Sequence, residues 1–231
     1  MPWQVILLTI GAYLLGSVPT SYIAGRLLKG IDIRNYGSGT VSGSNVWHSV
    51  SRWAVVPVGI FDILKGFIPV YIAWTMGLTL FGDEVLAQGI VGLAAMAGHS
   101  WSIFLGFSGG RGFATMMGAL IILAPWELLV FVIIWLLGLA LLKNSPLWMI
   151  IGAAAMPLAS LALPGEPLVL TWCLLGMVLI LVIKRLLADR AVSPGDWKRV
   201  MIYRLLLDRD IPDRESWILR TPPDIEPLEK K

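Results

Sequence analysis

The sequence predicts an all-α integral membrane protein of about seven transmembrane helices, with its N-terminus outside, its C-terminus in the cytoplasm and glycine-rich loops facing the cytoplasm. Three observations carry that expectation. Of the 231 residues, 57% are hydrophobic and only 14% charged, far from the mix of a soluble domain. Apolar runs of about 15 to 25 residues recur along most of the chain, each near the length a helix needs to cross a hydrocarbon core about 30 Å thick. Basic residues fall in alternate connections, as expected when Lys and Arg stay on the cytoplasmic side.

The spans run approximately over residues 3–25, 54–80, 85–107, 113–125, 128–142, 146–163 and 168–183. The first lacks a basic N-terminal region and continues through "GSVPTSYIAGR" without an A-x-A cleavage site, so it reads as retained rather than as a signal peptide. The fourth and fifth are short, fitting tilted, re-entrant or partly covered helices, and the "APWE" break at 124–127 is the weakest turn between spans. Merging them leaves six spans. Charge placement argues against the merger: Arg26, Lys29, Arg34 and Arg52 follow span one, Arg111 follows span three and Lys143 follows span five. Apart from Lys65, every other basic residue follows span seven, whereas "FGDE", "APWE" and "LPGEP" carry acids and no bases. A six-span chain would put Lys143 and the basic tail on opposite sides.

The formal charge of +3 is therefore a topology signal, and no nucleic-acid partner is expected. The single cysteine, Cys173, falls inside span seven and reads as packing, and with only His48 and His99 as nitrogen ligands no metal site or other cofactor is expected. Residues 1–188 make a membrane domain. Residues 189–231 form a charged cytoplasmic tail with nine basic and nine acidic side chains. In it "SPGD" at 193–196 reads as a helix start capped by Ser193. Trp197, Met201 and Leu205, with Val200 beside them, make an apolar stripe that suits either an interfacial helix on the inner leaflet or a solvated helix with a frayed end.

Three stretches carry chemistry. In "GSGTVSGSN" at 37–45, Gly37 and Gly39 free the backbone to turn N–H groups inward, and Ser38 and Asn45 add short donors. Such a nest suits a phosphate, and a flexible linker has the same composition. In "SGGRG" at 108–112, Gly109, Gly110 and Gly112 surround Arg111 ahead of span four, either an anion-binding loop at a helix start or a tight connection. In "FDILKG", Asp62 and Lys65 lie three residues apart inside span two, on one helix face. Ionisable residues at that depth mark a cavity, a functional site or a structural ion pair. His99, near the cytoplasmic end of span three, can titrate near neutrality or donate to a backbone carbonyl.

The order "LGSVPTSYIAGRLLKGIDIRNYGSGTVSGSNVW", "DILKG", "GHSWSIFLGFSGGRGFAT" resembles the bacterial acyl-phosphate-dependent glycerol-3-phosphate acyltransferases, the PlsY family, over roughly residues 10–120. The family's first motif, like G-S-G-N-x-G-A-T-N, matches at Gly37, Ser38, Gly39 and Asn45 and departs at Thr40, Ser42, Gly43 and Ser44. The second, G-H then G-G-K-G-x-A-T, matches Gly98 and His99, then Gly109, Gly110, Gly112, Ala114 and Thr115, with Arg111 replacing the lysine. His48 and Ser108 stand where the family has basic residues, and the third motif is reduced to "IKRLLADR" around Ile183, Lys184 and Arg185.

The resemblance implies a seven-helix, N-out enzyme of the bacterial inner membrane that moves a fatty acyl group from acyl phosphate to the 1-hydroxyl of glycerol 3-phosphate. Its products are lysophosphatidic acid and phosphate, and it needs neither a cofactor nor a covalent nucleophile. Implied partners are the two substrates, membrane lipid and an enzyme that produces acyl phosphate. In that frame Ser38 donates to a phosphate or the reacting carbonyl, Asn45 orients loop or substrate, and Asp62 orients Lys65. Lys65, Arg111 and the two glycine loops hold phosphate. His99 is the base for the glycerol hydroxyl, unless the donor's own phosphate takes that proton. A non-catalytic lipid-binding or scaffold member of the family is the alternative, and a transporter a third.

Overall fold

The computed structural model describes residues 2–142, 145–187 and 196–221. Each predicted span coincides with helix, and the first is divided. α1 (Pro2–Ser17) stops before Val18 and Pro19, and α2 (Thr20–Lys29) begins again after them. Pro19 has no N–H to donate and pushes Val18 out of helical geometry, so the apolar run cannot continue as one rod. α2 ends on Gly30 in the left-handed conformation. A 3-10 turn at Ile33–Asn35 and the short α3 (Gly43–Ser49) then bracket the first glycine loop.

α4 (Val55–Thr75) stops short of the predicted 80 because Gly77, at φ +56°, closes it, with the Leu78 N–H returning to the Ala73 carbonyl. α5 (Glu84–Ser100) starts on an Asp83 cap whose carboxylate accepts from the Leu86 N–H at 2.8 Å. It ends well before the expected 107, and residues 101–108 turn back on themselves through the Ser102 N–H to Ser108 carbonyl bond of 3.2 Å.

α6 (Phe113–Leu123) and α7 (Pro125–Leu142) are separated at Ala124, so "APWE" is a turn and the two do not merge. α8 (Ser145–Ala162) and α9 (Leu168–Leu186) complete the bundle. Among the described residues, four stretches are long and apolar enough to cross a membrane: Pro2–Lys29, Val55–Thr75, Ser145–Ala162 and Leu168–Leu186. α6, with 11 residues, is only about 17 Å long at 1.5 Å per residue.

Small residues set the packing. Gly66 lies against the Thr115 backbone and Gly118 against that of Ile63, so α4 and α6 meet through a reciprocal pair of glycines. α1 and α5 do the same through Gly16 against Ala95 and Gly98 against Tyr13. Without water to squeeze them together, membrane helices gain from this close backbone approach. Val91, Ala95, Met96, Met116, Ala119, Leu120, Leu174 and Met177 fill the core, whereas Ile6, Phe61, Trp126, Leu158 and Trp172 point outward.

In the tail, α10 (Trp197–Leu207) and α11 (Arg214–Ile218) are described, whereas Ser193 and Pro194 of the expected helix start and Lys143 lie outside the described residues. Of the expected stripe, Trp197 is exposed, Met201 and Leu205 are half-buried and Val200 is buried. Beside Val200, Arg204 is buried in α10. The contact is polar: Arg204 donates to the Leu186 carbonyl at 2.9 Å and Arg185 donates to the Leu205 carbonyl at 2.9 Å, which docks α10 against the end of α9.

Candidate active site

The break at Val18 and Pro19 creates the centre of the site. Lys65, 4% exposed, spends its three protons on three acceptors: Asp62 Oδ1 at 2.6 Å, the Val18 carbonyl at 2.6 Å and Thr20 Oγ1 at 3.1 Å. Thr20 Oγ1 in turn donates to Asp62 Oδ1 at 2.7 Å. A continuous helix would have consumed the Val18 carbonyl, so the proline supplies an acceptor for a cation inside the bundle. From α5, His99 places Nδ1 at 3.5 Å from the same Asp62 oxygen. A proton on Nδ1 leaves the lone pair on Nε2, which lies against the Cα of Gly110, where a side chain has no room.

The 101–112 loop is fastened to the end of α1. Ser102 Oγ donates to the Ser17 carbonyl at 2.5 Å, Tyr13 Oη donates to the Trp101 carbonyl at 2.8 Å, and the Gly110 N–H reaches the His99 carbonyl at 3.0 Å. A small cleft opens at this junction, lined by Ser17, Val18, Thr20, Val41, Lys65, His99, Ser102 and Gly109 among others.

The first glycine loop is a separate turn that reaches the cavity only through Val41. Gly37 at φ +50° and Gly39 at φ +73° give it its curl, a backbone region that side-chain-bearing residues rarely enter. Asn45, 2% exposed, is its buckle: Nδ2 donates to the carbonyls of Ile33, Tyr36 and Thr40 at 3.0, 3.1 and 3.0 Å, and Oδ1 accepts from Ser49 Oγ. Those bonds occupy the amide within the loop. Ser38, Thr40, Ser42 and Ser44 form a chain of hydroxyls with spacings of 2.8, 2.8 and 3.2 Å.

Ahead of this loop the Arg34 guanidinium, hydrogen-bonded to Asp32, holds that carboxyl below its ordinary range. Burial, with Arg214 and Arg52 nearby, lowers His48. His48 is therefore neutral near pH 7 and is not a substitute for an arginine.

Of the residues singled out in the sequence, Lys65, His99 and Gly109 line the cavity, with Asp62 and Gly110 directly behind them. Gly37, Ser38, Gly39 and Asn45 form the neighbouring turn, and Gly112, at φ +76°, opens α6. Arg111 faces the tail: its Nε stands 2.8 Å from Asp208 Oδ1, and Nη1 donates to the Lys184 carbonyl at 3.3 Å. Sequence reasoning missed Val18, Thr20, Ser17 and Ser102, although a proline flanked by hydroxyl residues inside an apolar span was a signal. It had no signal for Asp208.

A family model described as glycerol-3-phosphate acyltransferase matches residues 6–189. The chain belongs to the glycerol-3-phosphate acyltransferase family. It is an acyltransferase. Glycerol-3-phosphate acyltransferase 5 of Dehalococcoides mccartyi is 36% identical over 222 residues, spanning 93% of each chain, so that alignment runs past residue 189 into the tail. The Trichlorobacter lovleyi glycerol-3-phosphate acyltransferase is 40% identical over 172 residues, 74% of this chain and 86% of its own. In three dimensions the acyltransferase is similar to crystal structures of PlsY (YgiH), an integral membrane glycerol 3-phosphate acyltransferase. The glycerol 3-phosphate form gives a TM-score of 0.70 at 30% identity, covering 85% of this chain and 98% of that one. The lysophosphatidic acid form gives 0.70 at 28% identity, covering 87% and 93%.

Proposed function

We propose that this acyltransferase moves a fatty acyl group from acyl phosphate to the 1-hydroxyl of glycerol 3-phosphate, giving lysophosphatidic acid and phosphate. It would do so on the cytoplasmic face of a bacterial inner membrane that its seven helices cross from an outer N-terminus. The observation that carries the reading is the cavity in which a buried Lys65–Asp62–His99 cluster meets the glycine loop before α6.

Phosphate is already a good leaving group, so the protein's task is to align two anions and a hydroxyl. The glycerol oxygen bonds to the acyl carbon, the bond from that carbon to the phosphate oxygen breaks, and the hydroxyl proton passes to His99 Nε2 or to the departing phosphate. Asp62 holds His99 and Lys65 in register. Because the three protons of Lys65 already have acceptors, Lys65 acts on a bound anion through its positive field. Arg111 and the N–H groups of the two glycine loops take the phosphates, with Ser38 as a further donor. Asn45 shapes the loop. The acyl chain lies among the helices and reaches the enzyme from membrane lipid or directly from the enzyme that makes acyl phosphate. α10, with Trp197, Ile202 and Leu206 exposed, rests at the inner leaflet.

The test is phosphate release by the protein in lipid, given palmitoyl phosphate with and without glycerol 3-phosphate. Release should require glycerol 3-phosphate and fall by about two orders of magnitude in Arg111→Ala, the scale of one lost transition-state or phosphate contact. Release that ignores glycerol 3-phosphate would overturn the assignment of acceptor. Near-normal turnover in His99→Gln would take His99 off the proton path.

A further inference from the structure

The tail holds both anion-binding loops at once. α10 ends at Leu207, and Asp208, in the left-handed conformation at φ +55°, turns its carboxylate between two guanidinium groups. Its Oδ1 lies 2.8 Å from Arg111 Nε and 3.7 Å from Arg185 Nε. With Asp208 in place the Arg111 side chain is only 12% exposed, and Arg111 does not line the cavity that holds Lys65 and His99.

Farther along, Asp213 caps α11 by accepting from the Ser216 N–H at 2.7 Å, and Arg220 pairs with Asp210 at 2.8 Å, folding the segment back. The Arg220 carbonyl then accepts the Gly37 N–H at 2.9 Å. One segment thus places an oxygen on the guanidinium of the second loop and another on an N–H of the first, the two kinds of donor that recognise a phosphate.

We infer that residues 208–220 are a strap that keeps the phosphate-binding loops closed, with Asp208 standing where a substrate phosphate engages Arg111, so that Asp208 sets the enzyme's affinity for that substrate. The inference rests on the proposed reading of Arg111 and the Gly37 loop as phosphate ligands. A tethered carboxylate competes at a high effective concentration, and the apparent affinity for substrate falls by the fraction of molecules with the strap open. A phosphate can displace it because it carries more charge and more acceptor oxygens than the single carboxylate. The strap lies beyond residue 189, where the family model ends.

The experiment uses the full chain in proteoliposomes. In Asp208→Ala and Asp208→Asn the KM for one of the two phosphate substrates should fall on the order of fivefold with kcat undiminished, as expected when a mostly closed strap is released. Asp208→Glu should restore the higher KM. In the unaltered protein, amide exchange across 214–218 should quicken at concentrations of that same substrate that saturate turnover.

An unchanged or raised KM in the Ala and Asn variants, a lower kcat, or exchange indifferent to substrate would overturn the strap. If those results come with an inactive Arg111→Ala, the strap alone falls and the phosphate reading stands. Wild-type kinetics in Arg111→Ala would sink the phosphate reading and the strap with it.

Discussion

Asp62 and Lys65 show how a bundle in lipid keeps charges inside itself. Each is almost fully enclosed, and each survives there because the other, Thr20 and a helix-break carbonyl supply partners. Removing one member leaves an uncompensated charge, whereas removing both leaves none. Asp62→Ala and Lys65→Ala should therefore each cost about 3 kcal/mol of stability, and the double variant should cost clearly less than their sum. Unfolding of the four proteins in one detergent completes the cycle. A double variant whose loss equals that sum would mean the pair is not coupled. At this scale the sequence showed the pair through its depth and three-residue spacing. It did not show the acceptors, because a backbone carbonyl leaves no mark on side-chain identity.

Elements were legible where periodicity and caps agreed and illegible where a single residue changed the path. The apolar run over residues 3–25 hid the break because Val18 and Pro19 are themselves apolar, yet that break is what aims the Val18 carbonyl at Lys65. Pro19→Ala restores the missing donor and frees Val18 to turn helical, so α1 and α2 can join and the Tyr22 N–H can take the Val18 carbonyl. Pro19 caps α2 rather than sitting inside a helix, and its ring restricts the unfolded chain, so its removal should leave the thermal midpoint equal or slightly lower. Turnover should nevertheless fall several-fold, because Lys65 loses an acceptor and its ammonium shifts. Wild-type turnover with the two helices joined would show that the break is not needed for catalysis. The docking of the tail was illegible for a different reason. Its apolar spacing suggested a stripe, but the docking is decided by Arg185 and Arg204 reaching carbonyls across the α9–α10 contact, a non-local arrangement that no pattern within α10 encodes.

For the whole molecule, two independent signals set the expected topology: the length of the apolar runs and the side on which the basic residues fall. Length alone supports four crossings by the long stretches and leaves α5, α6 and α7 to be argued from charge. If Arg26, Lys29, Arg34 and Arg52 stay inside, then the turn after α4, with Phe81 exposed and Asp83 and Glu84 beside it, must be outside. The glycine loops and the strap would then share the inner face with water-soluble glycerol 3-phosphate. The native Cys173 is buried, so a surface cysteine can report position against a silent background. Phe81 is 93% exposed and Trp53 is 86% exposed, at opposite ends of α4. A membrane-impermeant maleimide applied to sealed cells should label Phe81→Cys at once and Trp53→Cys only after lysis. The reverse pattern would put the glycine loops outside, away from any cytoplasmic acyl phosphate, and labelling of both in sealed cells would mean that α4 does not cross.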